Sequence, residues 1–359
     1  MITSEFNNIV IGGVVSTVPN IRVDNMEFAE VFGEETVKKI IDSTGIKERY
    51  ISGEEQTASD LCYVAAKTLI EKKNIDPQTI GVLIFVSPSP DYILPASAFV
   101  LQKRLGISMD CIPYDINLVC SSFIVGMQTI CSVLQGSSAK KGLLLIGDTN
   151  NKMVSPLDKS VLLFGNAGSA ILVEKEQSEY PIRFGLKSDG SRFKALILPG
   201  GGFRDRYASR ERVRWDDNNI RSDCDAYMSG TDVFNFTLRD VPQTFKEFSE
   251  YFRNEGDYDC LLLHQANGFI IKHVAKKLNI SLDKVPLSLD RYGNTGGVSI
   301  PLTMCDAFGG KERETIHALA SAFGVGLSWG VMSMRFNSED IYPIVHTDDY
   351  YTEGKVSHG

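Results

Sequence analysis

The stretch KRLGISMDCIPYDI (103–116) returns later in the chain as KKLNISLDKVPLSL (276–289), without gaps and with Leu, Ile, Asp and Pro at matching places. Both copies are typical of a helix end, a turn and a strand. Separate α/β units can share such a pattern by chance. A duplicated βαβ-rich unit is the other interpretation, and it predicts further matches outside these copies.

Further matches occur on both sides of the repeated stretch. Upstream, VLIFVS (82–87) is echoed by CLLLHQ (260–265), where each apolar strand precedes a helical pattern. Downstream, FGNAGSAILVE (164–174) is loosely echoed by FGVGLSWGVMSMRF (323–336). Their common order favours two duplicated halves that meet near residues 175–185.

Short apolar runs alternate with helical patterns in the first half, which predicts an α/β fold with covered sheets. The predicted strands are GVLIFVS (81–87), CIPYDIN (111–117) and GLLLIGD (142–148), and the predicted helices cover 96–105 and 121–135.

Three segments follow from this organisation. We predict an N-terminal half over residues 1–180, a C-terminal half over 181–336, and a polar tail over 337–359 that packs on the surface or stays disordered. Residues 199–230 lie outside the repeat, and their glycines and charged residues, with five arginines between 204 and 214, give them the composition of a loop.

Composition excludes several classes of protein. The chain has 359 residues and a formal net charge of -8, whereas nonspecific nucleic-acid binding needs a basic surface. We expect no membrane span, because no apolar run approaches about 20 residues, and no export signal at the start. Seven scattered cysteines without a CxxC pair fit neither a zinc site nor a disulfide framework, and favour reduced thiols in the cytoplasm.

Cys120 lies where a predicted strand ends and a helix begins, in DINLVCSSFIVGMQ (115–128). A thiol at a helix N-terminus is near the positive end of the helix dipole and near free N–H groups, which favour the nucleophilic thiolate. Packing as a small apolar residue, as for Cys131 on the same helix, is the other interpretation.

His264 and Asn294 occupy comparable positions in the second half. His264 follows the strand CLLL (260–263), where it can be held neutral for proton transfer or hydrogen bonding, or can be an ordinary hydrogen-bonded core histidine. Asn294 lies in the Gly-rich turn GNTGG, after a strand predicted over VPLSL (285–289), and next to position 293, which matches Cys120 in the repeat. Its amide can donate a hydrogen bond without adding charge, or it can be a common turn Asn.

A third Gly-rich turn lies in AFGVGLSWG (322–330), between two predicted strands. Such a turn can direct a backbone N–H into a site, and an oxyanion hole needs two such donors. The N–H groups of Cys120 and Val325 are the candidates. A plain hairpin between two strands is the alternative.

Together, these segments resemble the beta-ketoacyl-acyl-carrier-protein synthase III group of the thiolase superfamily over about residues 6–336. The motifs that carry the resemblance are TGIKERYI (44–51), NLVCSSF (117–123), FGNAGSA (164–170), HQAN (264–267), YGNTGGVSIP (292–301) and FGVGLSWG (323–330). The resemblance implies a five-layered αβαβα fold built from two duplicated halves.

The resemblance also implies a catalytic set of Cys120, His264 and Asn294. Cys120 would take an acyl group from a thioester while the two backbone donors hold the oxyanion. A malonyl-type thioester would then lose CO₂, with His264 and Asn294 stabilising the enolate that attacks the acyl group. The expected substrates are acyl-CoA and malonyl-carrier thioesters, without a metal or redox cofactor, and the expected partners are an acyl carrier protein and a second copy of the chain in a homodimer.

Several positions depart from this group. Lys39 and Ser43 replace the Trp and Arg that hold the adenine of coenzyme A, and Lys159 replaces an Arg that contacts its phosphate. Phe269 replaces a carrier-docking Arg, although Lys272, Lys276 and Lys277 leave that helix with a basic face, which can equally be a solvated face. Leu94 aligns near the residue that the partner subunit places at the pocket floor.

These changes favour a specialised member of a lipid, polyketide or surface-polysaccharide pathway with another acyl donor. Two other interpretations of the function stay open, one enzymatic and one non-enzymatic. Acyl transfer to an oxygen or nitrogen nucleophile would keep Cys120 and His264 without decarboxylation. A silent scaffold partner of a condensing enzyme would typically lack the Cys or the His, and both are present.

Overall fold

A computed structural model describes residues 1–253 and 257–355. The strands in these ranges are β1 (Ile2–Phe6), β2 (Val10–Pro19), β3 (Ile21–Asp24), β4 (Glu48–Ile51), β5 (Ile80–Val86), β6 (Ile112–Ile116), β7 (Lys141–Asp148), β8 (Ala167–Glu174), β9 (Ile182–Ser188), β10 (Leu196–Ile197), β11 (Val213–Arg214), β12 (Ile220–Arg221), β13 (Tyr227–Met228), β14 (Cys260–Leu263), β15 (Thr315–Gly324), β16 (Ser328–Asn337) and β17 (Val345–Thr347). The α-helices are α1 (Ala29–Phe32), α2 (Glu34–Thr44), α3 (Ala58–Lys72), α4 (Ser97–Arg104), α5 (Ser122–Gln135), α6 (Gly230–Tyr251), α7 (Gly268–Lys277), α8 (Leu289–Tyr292) and α9 (Ser299–Phe308).

Two large sheets repeat one pattern of strands. The first has the order β17-β2-β8-β7-β5-β6, and the second has the order β1-β9-β16-β15-β14. In the first, β2, β8 and β7 are antiparallel neighbours and β5 is parallel to β7. In the second, β9, β16 and β15 are antiparallel neighbours and β14 is parallel to β15. The identical order and direction confirm the predicted duplication.

The sheets and helices form five layers. Helices α3 and α4 cover the outer face of the first sheet, α5 and α9 lie between the sheets, and α6 and α7 cover the outer face of the second. Strands β5 and β7 are buried on both faces, which explains their continuous apolar sequence. Apolar clusters fill each of the spaces between neighbouring layers. The predicted αβαβα architecture is confirmed.

The predicted strand over 285–289 is wrong. Its counterpart in the first half is β6, at the edge of the first sheet, whereas 285–289 runs as a loop into α8. The Gln265 amide explains this difference. Its nitrogen donates to Leu263 O and its oxygen accepts from the Ser288 N–H, so a side chain takes the place of ladder bonds next to β14.

Each end of the chain contributes a strand to the sheet of the opposite half. Strand β1 pairs with β9 in the second sheet, although it lies within the segment predicted as the N-terminal half. The predicted tail packs on the surface of the first half, and its strand β17 pairs in parallel with β2. Residues 356–359 of this tail lie outside the described residues.

The segment 199–230 is largely loop, as predicted, with three two-residue strands, β11, β12 and β13. Arg221 is buried there against Asp158 and Asp217. Within the described ranges, none of the helices combines the length and apolar character needed to cross a bilayer.

Candidate active site

Cys120 lies in the turn between β6 and α5, at the inner end of the helix between the sheets. Its side chain is buried and faces Gly324, at the end of β15. A Cβ atom built on Gly324 would lie 2.4 Å from the Cys120 Cβ and 2.7 Å from its sulfur. A glycine is therefore required at position 324 to leave room for the thiol.

The turn that joins β15 to β16 is hydrogen-bonded to the turn that carries Cys120, called here the cysteine turn (119–122). The Ser328 hydroxyl donates to the Val325 carbonyl at 2.8 Å, and its oxygen is 2.7 Å from the Ser121 hydroxyl oxygen. The backbone N–H groups of Val325 and Cys120 both act on the Cys120 sulfur and lower the pKa of the thiol. The two backbone donors singled out from the sequence thus converge on one atom.

The protonation state of Cys120 differs from the expectation. Burial raises the pKa of the thiol to about 12, and the negative charge of Asp148 acts in the same direction, while the two N–H groups oppose it. The prediction that the helix N-terminus favours a thiolate is wrong in its net direction. Removing a charged sulfur from water outweighs the partial charges of the helix end, so the resting thiol is protonated at neutral pH.

His264 directly follows β14 and lies between the end of β15 and the start of α9. Its N–H donates to Ser321 O, and its ring nitrogen Nδ1 is 2.7 Å from the Ser299 hydroxyl oxygen. The ring meets Phe323 edge-on at 5.5 Å. Burial lowers the pKa of His264 to about 4, although the nearby Gly296 backbone opposes this effect. The imidazole is therefore neutral at neutral pH.

Asn294 is held by backbone hydrogen bonds to Leu163 and Gly165, at the start of the segment FGNAGSA (164–170). Its N–H donates to Leu163 O at 2.8 Å, and its carbonyl accepts from the Gly165 N–H at 3.1 Å. Its side-chain oxygen accepts from the Gly296 N–H at 3.0 Å, which leaves the amide nitrogen available as a donor. His264 and Asn294 therefore share Gly296 as a neighbour.

The comparisons with known proteins agree with this geometry. The family "3-Oxoacyl-[acyl-carrier-protein (ACP)] synthase III" matches residues 114–190, and its C-terminal part matches residues 253–336. The chain is 31% identical to a beta-ketoacyl-[acyl-carrier-protein] synthase III of Desulfitobacterium hafniense (strain Y51), over 92% of this chain and 98% of that protein. It is 32% identical to the protein of that name from Streptococcus gordonii, over 90% and 97%.

A solved structure shows the same relationship. The 3-oxoacyl-(acyl-carrier protein) synthase from Burkholderia xenovorans LB400 is 33% identical, covers 96% of this chain and 99% of its own, and superposes with a TM-score of 0.89. This chain belongs to the 3-oxoacyl-[acyl-carrier-protein] synthase III family. It is a condensing enzyme with the thiolase-like fold, as the motifs and the repeat predicted.

The predicted binding residues of this synthase III lie in two regions. Helix α2 contacts α7 and packs through Val37 against Val154, Val161 and Leu162, which places three elements side by side. These elements carry most of the singled-out positions, namely Lys39, Ser43, Lys159, Phe269, Lys272, Lys276 and Lys277. Leu94 lies elsewhere, in the loop before α4, and its side chain is 79% exposed.

Sequence reasoning missed Asp148, at the end of β7. Its carboxyl is fully buried and accepts a hydrogen bond from the Gly297 N–H, in the turn that follows Asn294. The available signal was an acidic residue that ends the apolar run GLLLIGD, where parallel strands present their carboxyl ends. Ser299 was missed as well, because a serine within SIPLT carries no local sign that it contacts His264.

Proposed function

We propose that this synthase III catalyses decarboxylative Claisen condensation between an acyl group on Cys120 and a malonyl-type thioester. The proposal is carried by the turn that encloses the Cys120 sulfur, where Gly324 packs directly against the thiol and the N–H groups of Val325 and Cys120 act on it. An oxyanion that forms on the carbonyl next to this sulfur would lie within reach of both donors. Neither donor adds charge, so the site can favour an anion that exists only during the reaction.

In the first half-reaction, Cys120 attacks the carbonyl of an acyl thioester. A new sulfur–carbon bond forms on Cys120 and the carbon–sulfur bond of the donor breaks. The departing thiol leaves with the proton that Cys120 loses. Because the pKa of Cys120 is raised to about 12, the proton leaves in concert with the attack and not beforehand.

In the second half-reaction, the malonyl-type thioester loses CO₂ and becomes an enolate. The amide nitrogen of Asn294 donates to the developing oxygen, since the amide oxygen is already bound to Gly296. We assign the His264 proton to Nε2, with the Ser299 hydroxyl donating to Nδ1, so that the ring also donates to the enolate. A neutral imidazole is suited to this because it leaves the developing negative charge on the oxygen.

The enolate then attacks the acyl carbonyl on Cys120. A carbon–carbon bond forms, the Cys120 sulfur–carbon bond breaks, and the sulfur takes up a proton from water as the 3-oxoacyl thioester leaves. Electrons move only as pairs within these bonds. We therefore propose that the reaction uses no redox cofactor and no metal.

We also propose that the substrates arrive on coenzyme A or on an acyl carrier protein at the region formed by α2, the turn around Lys159, and α7. Lys272, Lys276 and Lys277 are exposed on α7 and can attract phosphate or acidic side chains. Phe269 stacks on Phe234 at 5.6 Å and offers an apolar contact beside them. Lys159, in the neighbouring turn, adds a positive charge.

We propose a homodimer that forms through the edge of the first sheet. Strand β6 ends that sheet, and unpaired strand edges readily accept another strand. The segment around it exposes several large apolar side chains, namely Ile93, Leu94, Phe99, Met109 and Ile112. In such a dimer Leu94 would lie against the partner subunit.

Intact-protein mass spectrometry tests the central proposal. The protein is incubated with acetyl, octanoyl and dodecanoyl groups on coenzyme A and on an acyl carrier protein, then with malonyl-CoA labelled in its free carboxyl group. We expect an acyl mass on the wild type but not on C120A, followed by release of labelled CO₂ and a 3-oxoacyl product.

The outcomes separate the alternatives. Acylation without CO₂ release would support transfer to an oxygen or nitrogen nucleophile instead. A chain that acquires no acyl mass from any donor would support the scaffold interpretation. An acyl mass that persists on C120A would contradict the assignment of the nucleophile.

A further inference from the structure

Asp148 is a buried carboxyl beside the reacting groups that the proposed mechanism does not use. It ends β7, and its side chain is fully enclosed. One carboxyl oxygen, Oδ2, accepts a hydrogen bond from the backbone N–H of Gly297, and the Val298 N–H also lowers the pKa of the carboxyl. The other, Oδ1, has no hydrogen-bond partner among the described residues. Burying a carboxyl that has one unpaired oxygen costs free energy of desolvation, which indicates that Asp148 has a functional role.

The carboxyl is also in direct contact with Gly296. A Cβ atom built on Gly296 would lie 2.1 Å from Asp148 Oδ2, and Gly296 has a φ of +57°. Only glycine combines that backbone conformation with that close approach. The turn over Gly296, Gly297 and Val298 is therefore shaped around the carboxyl.

The same turn touches the surroundings of all three candidate catalytic residues. Gly296 donates to the Asn294 side-chain oxygen, and its backbone acts on the His264 ring and raises the pKa of the imidazole. Gly297 packs against the cysteine turn, since a Cβ atom built on it would lie 2.5 Å from Val119 O and from Ser122 Cβ. A shift of this turn would move the Asn294 amide and the His264 ring relative to the sulfur.

We infer that Asp148 is a positioning residue, whose carboxyl fixes the Gly296–Val298 turn and so directs the Asn294 and His264 donors at the enolate oxygen in the second half-reaction. The first half-reaction depends on the N–H groups of Cys120 and Val325, whereas the hydrogen bonds of this turn go to Asn294 and Asp148. The loss of Asp148 should therefore affect the two half-reactions unequally. This inference rests on the proposed decarboxylative condensation.

Its charge gives a second observable. The negative charge of Asp148 raises the pKa of Cys120, in addition to the effect of burial. Asn at this position keeps a carbonyl oxygen for the Gly297 N–H but removes the charge. Ala removes both the oxygen and the charge.

The experiment compares wild type, D148A and D148N in two assays. Acylation of Cys120 by octanoyl-CoA is followed by intact mass, and CO₂ release is followed from malonyl-CoA labelled in its free carboxyl group. For D148A we expect acylation within about threefold of wild type and CO₂ release slower by about 10²-fold, because a small misplacement of reacting groups has that effect. For D148N we expect CO₂ release within about threefold of wild type and faster alkylation of Cys120 by iodoacetamide at pH 8.

D115A is the matched control. Asp115 is a strand carboxyl whose oxygens accept from the N–H groups of Ser97 and Ala98 at the start of α4, so it has the same kind of contact away from the Asn294 turn. Any loss in D115A should fall on both half-reactions alike. Thermal melting identifies variants that do not fold.

The outcomes separate this inference from the proposed function. If the wild type itself releases no CO₂, the proposed function fails, and the inference fails with it. If the wild type is active but D148A slows both half-reactions equally, or neither, only the inference fails. If D148A does not fold, D148N decides: slow CO₂ release or an unchanged alkylation rate would overturn the role given to Asp148.

Discussion

Cys120 and His264 show how burial sets the chemistry of single residues. The thiol is protonated and the imidazole neutral, since their pKa values are about 12 and about 4. The resting site therefore carries neither a thiolate nor an imidazolium. A neutral thiol and a neutral imidazole do not form an ion pair with each other. Hydrogen-bond donors of the site can therefore bind the negative charge that develops on the substrate oxygen.

The raised pKa of Cys120 predicts its reactivity towards iodoacetamide. Because the thiolate fraction grows about tenfold per pH unit below the pKa, the alkylation rate of Cys120 should rise steadily from pH 7 to pH 10. Mass spectrometry of the Cys120 peptide gives this rate separately from the other thiols. Free cysteine, with a pKa of about 8.5, is the control and should level off near pH 9. A plateau for Cys120 below pH 8 would show a stabilised thiolate and contradict the effect of burial.

The close approach of Gly324 to Cys120 predicts a large effect of one methyl group. In G324A the new Cβ would lie 2.4 Å from the Cys120 Cβ, so the thiol or the β15 end must move. We expect acylation of Cys120 to slow by at least about 10²-fold. G190A is the matched control, since a Cβ atom there meets nothing within 4 Å. Equal acylation rates for the two variants would mean that the site tolerates the displacement.

At the scale of elements, the tail is part of the first sheet and its covering layer. Strand β17 extends the sheet beside β2, and the Arg104 guanidinium lies between the rings of Tyr63 and Tyr351, at 4.2 and 4.6 Å. The buried Gln56 amide donates to the carbonyl groups of Thr347 and Asp349, both at 3.0 Å. These contacts join the tail to the helix layer outside the sheet.

Removing the Gln56 amide should weaken this attachment. Q56A leaves two carbonyl groups without their donor, so we expect the free energy of unfolding to fall by about 1–3 kcal/mol. Q78A makes the same substitution at an exposed residue that donates to Gly106 O, and should change it by no more than about 0.5 kcal/mol. Chemical denaturation measures both. Equal losses would mean that the tail contributes little to stability.

At the scale of the whole molecule, the exposed edge of the first sheet predicts assembly. In the proposed homodimer, I112K places a charge at the β6 edge, where Ile112 is 47% exposed. We expect the wild type to be dimeric and I112K to be monomeric by light scattering after gel filtration. V213K, at a residue 51% exposed in the 199–230 loop, should remain dimeric. A monomeric wild type, or a dimeric I112K, would contradict the proposed interface.

The duplicated α/β fold and the positions of Cys120, His264 and Asn294 at the ends of elements are predictable from local sequence patterns. Buried strands such as β5 and β7, and Gly-rich turns, have patterns within a few consecutive residues, so they can be predicted without knowing which distant segments pack against them. Strand VPLSL (285–289) was predicted wrongly for the same reason, because its alternative partner, Gln265, lies outside the local pattern.

Three features follow from long-range packing, namely the protonation of Cys120, the exchange of β1 and β17 between the sheets, and the contact of Asp148 with the Asn294 turn. Each depends on groups distant in the chain. Desolvation of the thiol depends on the whole enclosure, and the Asp148 hydrogen bond joins the end of β7 to Gly297. A local pattern of residues predicts neither the desolvation of the thiol nor the Asp148 hydrogen bond, because both arise from packing between the two halves.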